Sequence, residues 1–193
     1  MDMLAKALLE LSRIETRPHM PTRVETRKML EDIVGSLQYQ ITARGIVMEI
    51  KDLPPIMADS LRINQVFTNL IDNAIKYMKP EGDKRIAVGF EEQEGFYQFF
   101  VRDTGPGIRP EDQQKVFRLF ARLVTSKVPG DGVGLAAVKK IVEKHGGRIW
   151  LESAVGVGST FWFSVPKPAD PSATEEEGKG EDVRQGEDHD LDG

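Results

Sequence analysis

Residues 62–76 are Arg-Ile-Asn-Gln-Val-Phe-Thr-Asn-Leu-Ile-Asp-Asn-Ala-Ile-Lys. Their apolar side chains recur at three- and four-residue spacings, which is the period of one helix face. The members of this apolar stripe are Ile63, Val66, Phe67, Leu70, Ala74 and Ile75. The pattern predicts an amphipathic helix whose stripe packs into the core, and the rest of the chain is organised around it.

The same stretch carries a polar row, formed by Asn69, Asn73 and Lys76. Their spacing of four and then three residues places them on one helix face. An amide oxygen can complete the coordination shell of Mg²⁺, and a lysine can meet phosphate oxygens. The row therefore suits a metal-bound anion, although for this helix alone a solvated polar face is the simpler interpretation.

Composition and charge limit the classes of protein. The 193 residues include no cysteine, which excludes disulfides and cysteine-bound zinc and favours a reducing compartment. Residues 167–193 carry ten acidic and three basic side chains, a net charge of −7, which leaves the preceding 166 residues near +2. We therefore expect no nucleic-acid surface. No apolar run approaches the ~18 residues of a membrane span, so we expect a cytoplasmic protein without membrane contact.

Apolar periodicity predicts further helices over 3–16, 26–43, 111–121 and 135–145. Asp59 or Ser60 can cap the central helix, which should end by Pro80. The first helix is short for independent stability, so its apolar face needs a partner elsewhere.

Alternating or continuous apolar runs predict the strands. The predicted spans are 46–51, 84–92, 96–103, 148–152 and 159–165, with a short candidate at 22–25. The last two long strands should form a hairpin around Gly156-Val-Gly158. The final 27 residues are rich in Pro, Gly, Glu and Asp, which predicts a disordered acidic tail.

Two glycine-rich stretches follow predicted elements. Asp103-Thr-Gly-Pro-Gly-Ile108 begins at a strand end, where a carboxylate is fixed while the following backbone can approach a ligand. The alternative is an ordinary Asp-Gly turn that closes a hairpin. Gly130-Asp-Gly-Val-Gly-Leu135 precedes a helix and can offer backbone N–H groups to a phosphate, although glycines before helices often serve only as turn residues.

Taken together, these stretches resemble the catalytic, ATP-binding domain of sensor histidine kinases, within the GHKL superfamily of ATPases. The resemblance covers about residues 20–166. The matching motifs are the N box at 69–77, the first glycine box at 103–108, the F box at 117–120, the second glycine box at 130–135 and the closing strand at 158–161.

The resemblance implies an α/β sandwich, with a mixed, largely antiparallel sheet, helices on one face and a helical stub in front. The predicted order of helices and strands agrees with it. The implied divisions are the end of a dimerisation and phosphotransfer helix (1–18), an ATP-binding catalytic domain (19–166) and the acidic tail (167–193).

Residue roles follow from the resemblance. Asp103 would accept a hydrogen bond from the adenine amino group, and Gly107 would let the base sit close. Asn73 would bind Mg²⁺, while Asn69 and Lys76, the candidate catalytic residues, would hold the phosphate–metal unit. Further nucleotide contacts are expected from Tyr77, Gly105, Ile108, Phe120, Lys127, Gly130, Gly132, Val133, Gly134, Leu135, Ser159 and Thr160.

The lid is the next implied feature. Residues 109–131 would cover the nucleotide, and Lys127 could reach its γ-phosphate or be merely solvated. Ser159 or Thr160 would support the adenine end. Asp131 occupies a place where family members often carry Thr or Ser, so its charge should leave nucleotide binding equal or weaker.

Asn69 distinguishes subclasses of the superfamily. Hydrolytic relatives carry a glutamate there as a general base, and an amide cannot abstract a proton from water. The resemblance therefore implies that ATP is positioned for transfer to another nucleophile. The alternatives are a stand-alone nucleotide-binding regulatory module, a slow GHKL ATPase and a serine kinase of the anti-sigma type. Asn69 disfavours the last two.

A histidine kinase needs a phosphoacceptor histidine, and none of the three here has the family's sequence context. His19 lies among prolines in a connector, His189 lies in the tail, and His145 should cap carbonyls or face solvent. The implied partners are ATP or ADP, a dimerisation and histidine-phosphotransfer domain of the same kinase, and a response regulator receiver domain.

Overall fold

The computed structural model describes residues 2–16, 18–120 and 132–168, whose helices and strands surround one apolar core. The helices are α1 (Asp2–Thr16), α2 (Thr26–Ala43), α3 (Ser60–Lys76), α4 (Pro110–Gln113) and α5 (Gly134–Lys144). The strands are β1 (Thr22–Val24), β2 (Val47–Ile50), β3 (Ile56–Ala58), β4 (Arg85–Gln93), β5 (Phe96–Asp103), β6 (Ile149–Ala154) and β7 (Gly158–Pro166). In these ranges, no helix combines the length and apolar character needed to cross a membrane.

Five strands form one sheet in the order β2-β4-β5-β7-β6. β2 runs parallel to β4, and the other neighbours are antiparallel. β1 and β3 form a separate antiparallel pair, of which the sequence predicted only β1. The expected mixed, largely antiparallel sheet with helices on one face is confirmed.

Helix α3 is the centre of the core, as its apolar stripe predicted. The whole stripe is buried, together with Ile71. The Phe67 ring lies edge-on to Phe99 of β5 and to Phe163 of β7, with centroids 5.7 Å and 5.1 Å apart. Asp59 is the cap, because its Oδ1 accepts a hydrogen bond from the Arg62 N–H at 3.2 Å.

The sheet face away from the helices carries a row of aromatic and cationic side chains. Trp162 of β7 is paired across the strands with Phe100 on one side and Trp150 on the other. The Trp150 and Trp162 rings stack with centroids 5.8 Å apart and planes 3° from parallel. Arg148 lies 4.8 Å above the Trp150 ring, so the stack is covered at its outer end.

The helix predicted over 111–121 is wrong beyond its first turn. Helix α4 ends at Gln113, and the chain continues to residue 120 in turns. Val116 is buried there, and the Phe117 ring lies edge-on to Phe161 of β7 at 6.2 Å. Packing against the sheet fixes this segment, whereas the local pattern alone favoured a longer helix.

The remaining helix predictions agree with the structure to within one residue. For His145, the two expected alternatives were a side chain that caps carbonyls and one that faces solvent. His145 is buried, although its Nδ1 does lie 2.8 Å from the Ile141 carbonyl oxygen, as a capping role required. The predicted tail lies almost entirely outside the described residues and stays a prediction, as do the domain limits.

Candidate functional site

The site has a strand-borne half, formed by Asp103, Gly105, Gly107 and Ser159. Asp103 ends β5, between Ile86 of β4 and Ser159 of β7. Its Oδ1 accepts a hydrogen bond from the Gly105 N–H at 2.8 Å, and its carboxylate also accepts one from the Ser159 N–H. Burial raises the pKa of Asp103 to about 6, and these two N–H groups and the Lys79 ammonium oppose the rise.

The two glycines after Asp103 leave no room for a side chain. A Cβ on Gly105 would lie 2.6 Å from the Asp103 Oδ1. Gly107 has φ of 72°, and a Cβ there would collide with the Ala154 carbonyl oxygen of the β6–β7 hairpin. Close packing of the protein on itself therefore requires Gly107. Its expected role in making room for a base stays a prediction.

Ser153 joins this half, and sequence reasoning missed it. Its Oγ accepts a hydrogen bond from the Ile108 N–H at 2.8 Å and lies 3.0 Å from the Ser159 Oγ. Ser153 follows Ile149 and Leu151 at two-residue intervals, so it shares their sheet face, and both of them pack on the core. This spacing was the signal in the sequence that could have identified Ser153.

Thr160 does not join the site. Successive strand residues point to opposite faces of a sheet, so Thr160 faces away from Asp103 and Ser159. Its Oγ1 accepts a hydrogen bond from the Arg102 Nε at 3.2 Å on the face without helices. Of the two residues expected to support the adenine end, only Ser159 lies beside Asp103.

Lys79 is a second residue that the sequence did not single out. Its Nζ donates to the Gly156 carbonyl oxygen at 2.7 Å, and the Gly156 N–H donates to the Pro106 carbonyl oxygen at 2.7 Å. These bonds join the segment after α3, the β6–β7 turn and the loop after Asp103.

The helix-borne half contains Asn69, Asn73, Lys76 and residues 132–135. Asn69 and Asn73 are partly exposed on α3. Among the described residues, neither the Asn73 amide nor the Lys76 ammonium makes a hydrogen bond or ion pair, and the Lys76 Nζ lies 5.9 Å from the Tyr77 ring centroid. Both groups are therefore available to a ligand.

Residues 132–135 lead into α5. Gly132 has φ of 65°, and its carbonyl oxygen accepts a hydrogen bond from the Phe120 N–H at 2.9 Å. Val133 is buried, and Leu135 packs on the core. Phe120 itself has φ of 59°, a left-handed conformation that is uncommon for a bulky residue. The other predicted members of this region, Lys127, Gly130 and Asp131, lie outside the described residues.

The two halves meet around α3. The Asn69 Nδ2 lies 3.4 Å from the Gly134 carbonyl oxygen, which joins the middle of α3 to the start of α5. At the end of α3, a Cβ on Gly105 would lie 3.5 Å from the Tyr77 carbonyl oxygen. The structure therefore brings α3, the loop after Asp103 and the start of α5 close together.

The two halves offer two kinds of recognition. The strand-borne half presents a partly buried carboxylate, which accepts hydrogen bonds while ionised. The helix-borne half presents amides, an ammonium and the N-terminal end of a helix, which suit an anion. Within the described ranges, no group of three or more His, Cys, Asp or Glu side chains could hold a metal ion.

Comparisons with known proteins agree with this geometry. Residues 58–169, more than half of the chain, match the family described as histidine kinase-, DNA gyrase B-, and HSP90-like ATPase. The phytochrome-like protein Cph1 of Synechocystis is 38% identical over 169 residues, which span 86% of this chain and 22% of that protein. The chain therefore corresponds to about a fifth of this relative's length.

Solved structures give the same result. Full-length ShkA in complex with AMPPNP is similar with a TM-score of 0.73 and 26% identity, over 87% of this chain and 36% of that one. The histidine kinase ThkA in complex with the response regulator TrrA is similar with a TM-score of 0.69 and 25% identity, over 86% and 48%. The chain thus belongs to the histidine kinase-, DNA gyrase B- and HSP90-like ATPase family, and is homologous to the catalytic domains of sensor histidine kinases.

Proposed function

We propose that this chain is the ATP-binding catalytic part of a two-component sensor histidine kinase. It positions Mg-ATP for phosphoryl transfer to a histidine that another segment or chain supplies. The observation that carries the proposal is the meeting of Asn69 with Gly134 and of Tyr77 with Gly105. This proximity supports the proposal because it brings a partly buried carboxylate and the N-terminal end of a helix close together.

The strand-borne half recognises the base. Asp103, when ionised, accepts a hydrogen bond from the exocyclic amino group of adenine. Its orientation is fixed by the Gly105 and Ser159 N–H groups. Ser153 holds the Ile108 N–H and the Ser159 side chain, so it acts as a positioning residue for this half.

The helix-borne half holds the phosphates. Asn73 is the residue that would bind Mg²⁺, and one amide with phosphate oxygens and water is a common Mg²⁺ environment, so the residues present fit this ion. The bound ion would neutralise phosphate charge. Lys76 meets phosphate oxygens as a cation, and the N–H groups of residues 132–135 add further donors.

Asn69 argues for transfer over hydrolysis. Its amide hydrogen-bonds and orients but cannot take a proton from water. Catalysis then depends on placing the γ-phosphate and excluding competing water, which is the usual basis of phosphoryl transfer. The proposed partners are a histidine-bearing dimerisation domain and a response regulator receiver domain, as with the ThkA–TrrA pair. We propose a cytoplasmic site of action.

The first test is a calorimetric titration with a non-hydrolysable ATP analogue, with and without Mg²⁺, of the unmodified chain and of Asp103→Asn. Saturable binding that the substitution removes supports the adenine pocket. An absence of binding to the unmodified chain would contradict the proposed function.

The second test addresses the reaction. Labelled ATP is added together with a separately produced dimerisation hairpin that carries the phosphoacceptor histidine. Acid-labile phosphate on the hairpin supports a kinase. Nucleotide binding without such transfer supports a regulatory module, and steady phosphate release that Asn73→Ala abolishes supports a slow ATPase.

A further inference from the structure

The C-terminal turn of α1 is held by cations from two other helices. Arg62 of α3 donates from Nη2 to the Arg13 carbonyl oxygen at 2.9 Å. Lys144, at the end of α5, donates from Nζ to the carbonyl oxygens of Ile14 and Glu15, at 2.8 Å and 2.9 Å. The Ile14 side chain is only 1% exposed, so this turn is seated on the rest of the protein.

These contacts have a physical reason. The last carbonyls of a helix have no partner within the helix, and they form the negative end of its dipole. Cationic side chains from neighbouring helices donate hydrogen bonds to these carbonyls and also place positive charge at the negative end of the dipole. Lys140 of α5 adds an ion pair with Glu15 at 2.6 Å, and it lies on the solvent side of the same contact.

His145 lies beneath this contact in one defined protonation state. Its Nε2 accepts a hydrogen bond from the Asp59 N–H at 3.2 Å, and its Nδ1 therefore carries the proton that is donated to Ile141. The ring of His19, from the connector after α1, stands edge-on to it at 4.4 Å. Doubly protonated His145 could not accept the Asp59 N–H.

The charged and titratable groups around His145 come from every neighbouring element. Arg62 of α3 and Lys144 of α5 line the same small cavity, His19 comes from the connector, and Asp59 comes from the cap of α3. Burial lowers the pKa of His145, and His19 and Lys144 lower it further, while the Ile141 carbonyl and Asp59 act in the opposite direction.

We propose that Arg62, Lys144 and His145 form a docking patch for the C-terminal turn of the helix that precedes the catalytic domain, and that protonation of His145 releases this turn. The neutral ring completes the patch. The charged ring cannot accept the Asp59 N–H, and it repels Lys144, the cation that holds the Ile14 and Glu15 carbonyls.

The pH window follows from the direction of the shift. Release of the turn takes Ile14 out of the small cavity that His145 lines, so the ring becomes more exposed and its pKa moves towards the ordinary value of about 6.5. In the docked state its pKa is lower. Docking is therefore strongest above about pH 6.5 and weakens as the pH falls through that value. Between pH 7.5 and 5.5 the docking constant should fall by up to about tenfold for one proton.

Helix α5 connects the docking patch to the helix-borne half of the site. Helix α5 begins at Gly134, beside Asn69, and ends at Lys144, beside α1. One rigid element thus joins the helix-borne half of the site to the docked turn. The preceding helix would be held in a fixed place relative to the site at neutral pH and freed at acid pH. This proposal does not depend on nucleotide binding.

The test uses thiol protection in the full chain, which has no native cysteine. Ile14→Cys places a single thiol under the docked turn, and Val165→Cys places one in the sheet core, where it reports global opening. Labelling with 4,4′-dithiodipyridine is compared with a short cysteine peptide at each pH, so that the intrinsic reactivity cancels.

We expect the protection of the Ile14→Cys thiol against labelling to fall by up to about tenfold between pH 7.5 and 5.5, while the protection of the Val165→Cys thiol stays the same. Adding His145→Gln should remove this pH dependence, whereas adding His19→Gln should leave most of it. Equal losses at both cysteines, or a pH dependence that His145→Gln leaves intact, would overturn the proposal.

A further variant covers the case in which His145→Gln fails to fold, which circular dichroism would reveal. Lys144→Gln removes the cation from two α1 carbonyls and leaves the His145 ring in place. We expect it to lower the protection of Ile14→Cys at pH 7.5 as well as at pH 5.5. Unchanged protection at both pH values would refute the docking patch.

Discussion

In the strand-borne half of the site, Asp103 and Ser159 are already bound by other protein groups, whereas in the helix-borne half Asn73 and Lys76 have no polar partner among the described residues. The first half lies on paired strands, where register fixes each side chain. The second lies on the partly exposed side of α3, next to residues 132–135. A ligand therefore meets one half whose polar groups are already hydrogen-bonded within the protein, and another half in which Asn73 and Lys76 gain polar partners only when the ligand binds.

This difference indicates how binding free energy is divided. Preorganised groups need little ordering, so their full hydrogen-bond strength appears as affinity. Groups on long or half-exposed side chains lose conformational entropy on binding, which offsets part of their contribution. We therefore expect the base to anchor the ligand and the phosphates to add a smaller, Mg²⁺-dependent increment.

The largest effect is expected from Asp103→Asn. Losing a charged acceptor at a partly buried position should weaken binding of an ATP analogue by on the order of 100-fold, since hydrogen bonds to charged groups are the stronger ones. The fold should survive because Asp103 lies at a strand end outside the apolar core. Calorimetry measures the affinity, and a thermal melt measures the stability of the fold. The control is Asp83→Asn, at an exposed site. Unchanged affinity would remove Asp103 from the site.

Asn73→Ala should have a smaller effect, confined to conditions with Mg²⁺. Loss of one metal ligand should weaken Mg²⁺-dependent binding about tenfold, with little change when the ion is chelated. The matched control is Asn64→Ala on the same helix, where the Asn64 amide already contacts Thr68. Equal losses with and without Mg²⁺ would show that Asn73 touches the ligand itself.

A pH titration of nucleotide binding tests the role of the Asp103 carboxylate. The pKa of Asp103 is about 6 in the ligand-free protein, and the ionised form is the acceptor. Affinity should therefore be full above about pH 7 and should fall by about fourfold between pH 7.5 and 5.5. The same titration of Asp103→Asn corrects for protonation of the nucleotide, because only the Asp103 contribution disappears. A ratio of the two affinities that does not change with pH would contradict this assignment.

The smallest effects distinguish the two sheet faces. Ser159→Ala removes the Oγ that lies 3.0 Å from Ser153, and we expect a roughly threefold loss of affinity, the size of one weak hydrogen bond. Thr160→Val removes only the contact with Arg102 on the opposite face, and it should leave affinity unchanged. A larger loss from Thr160→Val than from Ser159→Ala would reverse the placement of these residues.

The sequence predicted what local periodicity controls. The apolar stripe of α3, the alternation in β4 and the nearly continuous apolar run in β5 follow directly from the order of the residues. The glycine boxes were located by their order and by resemblance. The contact between the N box and the second glycine box, through Asn69 and Gly134, is a matter of tertiary packing.

Long-range contacts explain what was missed. The bond between Lys79 and Gly156 joins residues 77 positions apart, and that between Ile108 and Ser153 joins residues 45 apart. No local pattern marks either of them. The shortened helix α4 has the same cause, because Val116 and Phe117 are placed by the sheet and not by their neighbours in the chain.

The stacked indoles on the open sheet face have a practical consequence. Trp150 and Trp162 are the only tryptophans of the chain, so all of its indole fluorescence originates in the β6–β7 hairpin. Their emission therefore reports whether these two strands remain paired. The protein thus has an intrinsic fluorescence probe of the β6–β7 pairing, which can be measured in the same sample as any labelling experiment on the preceding helix.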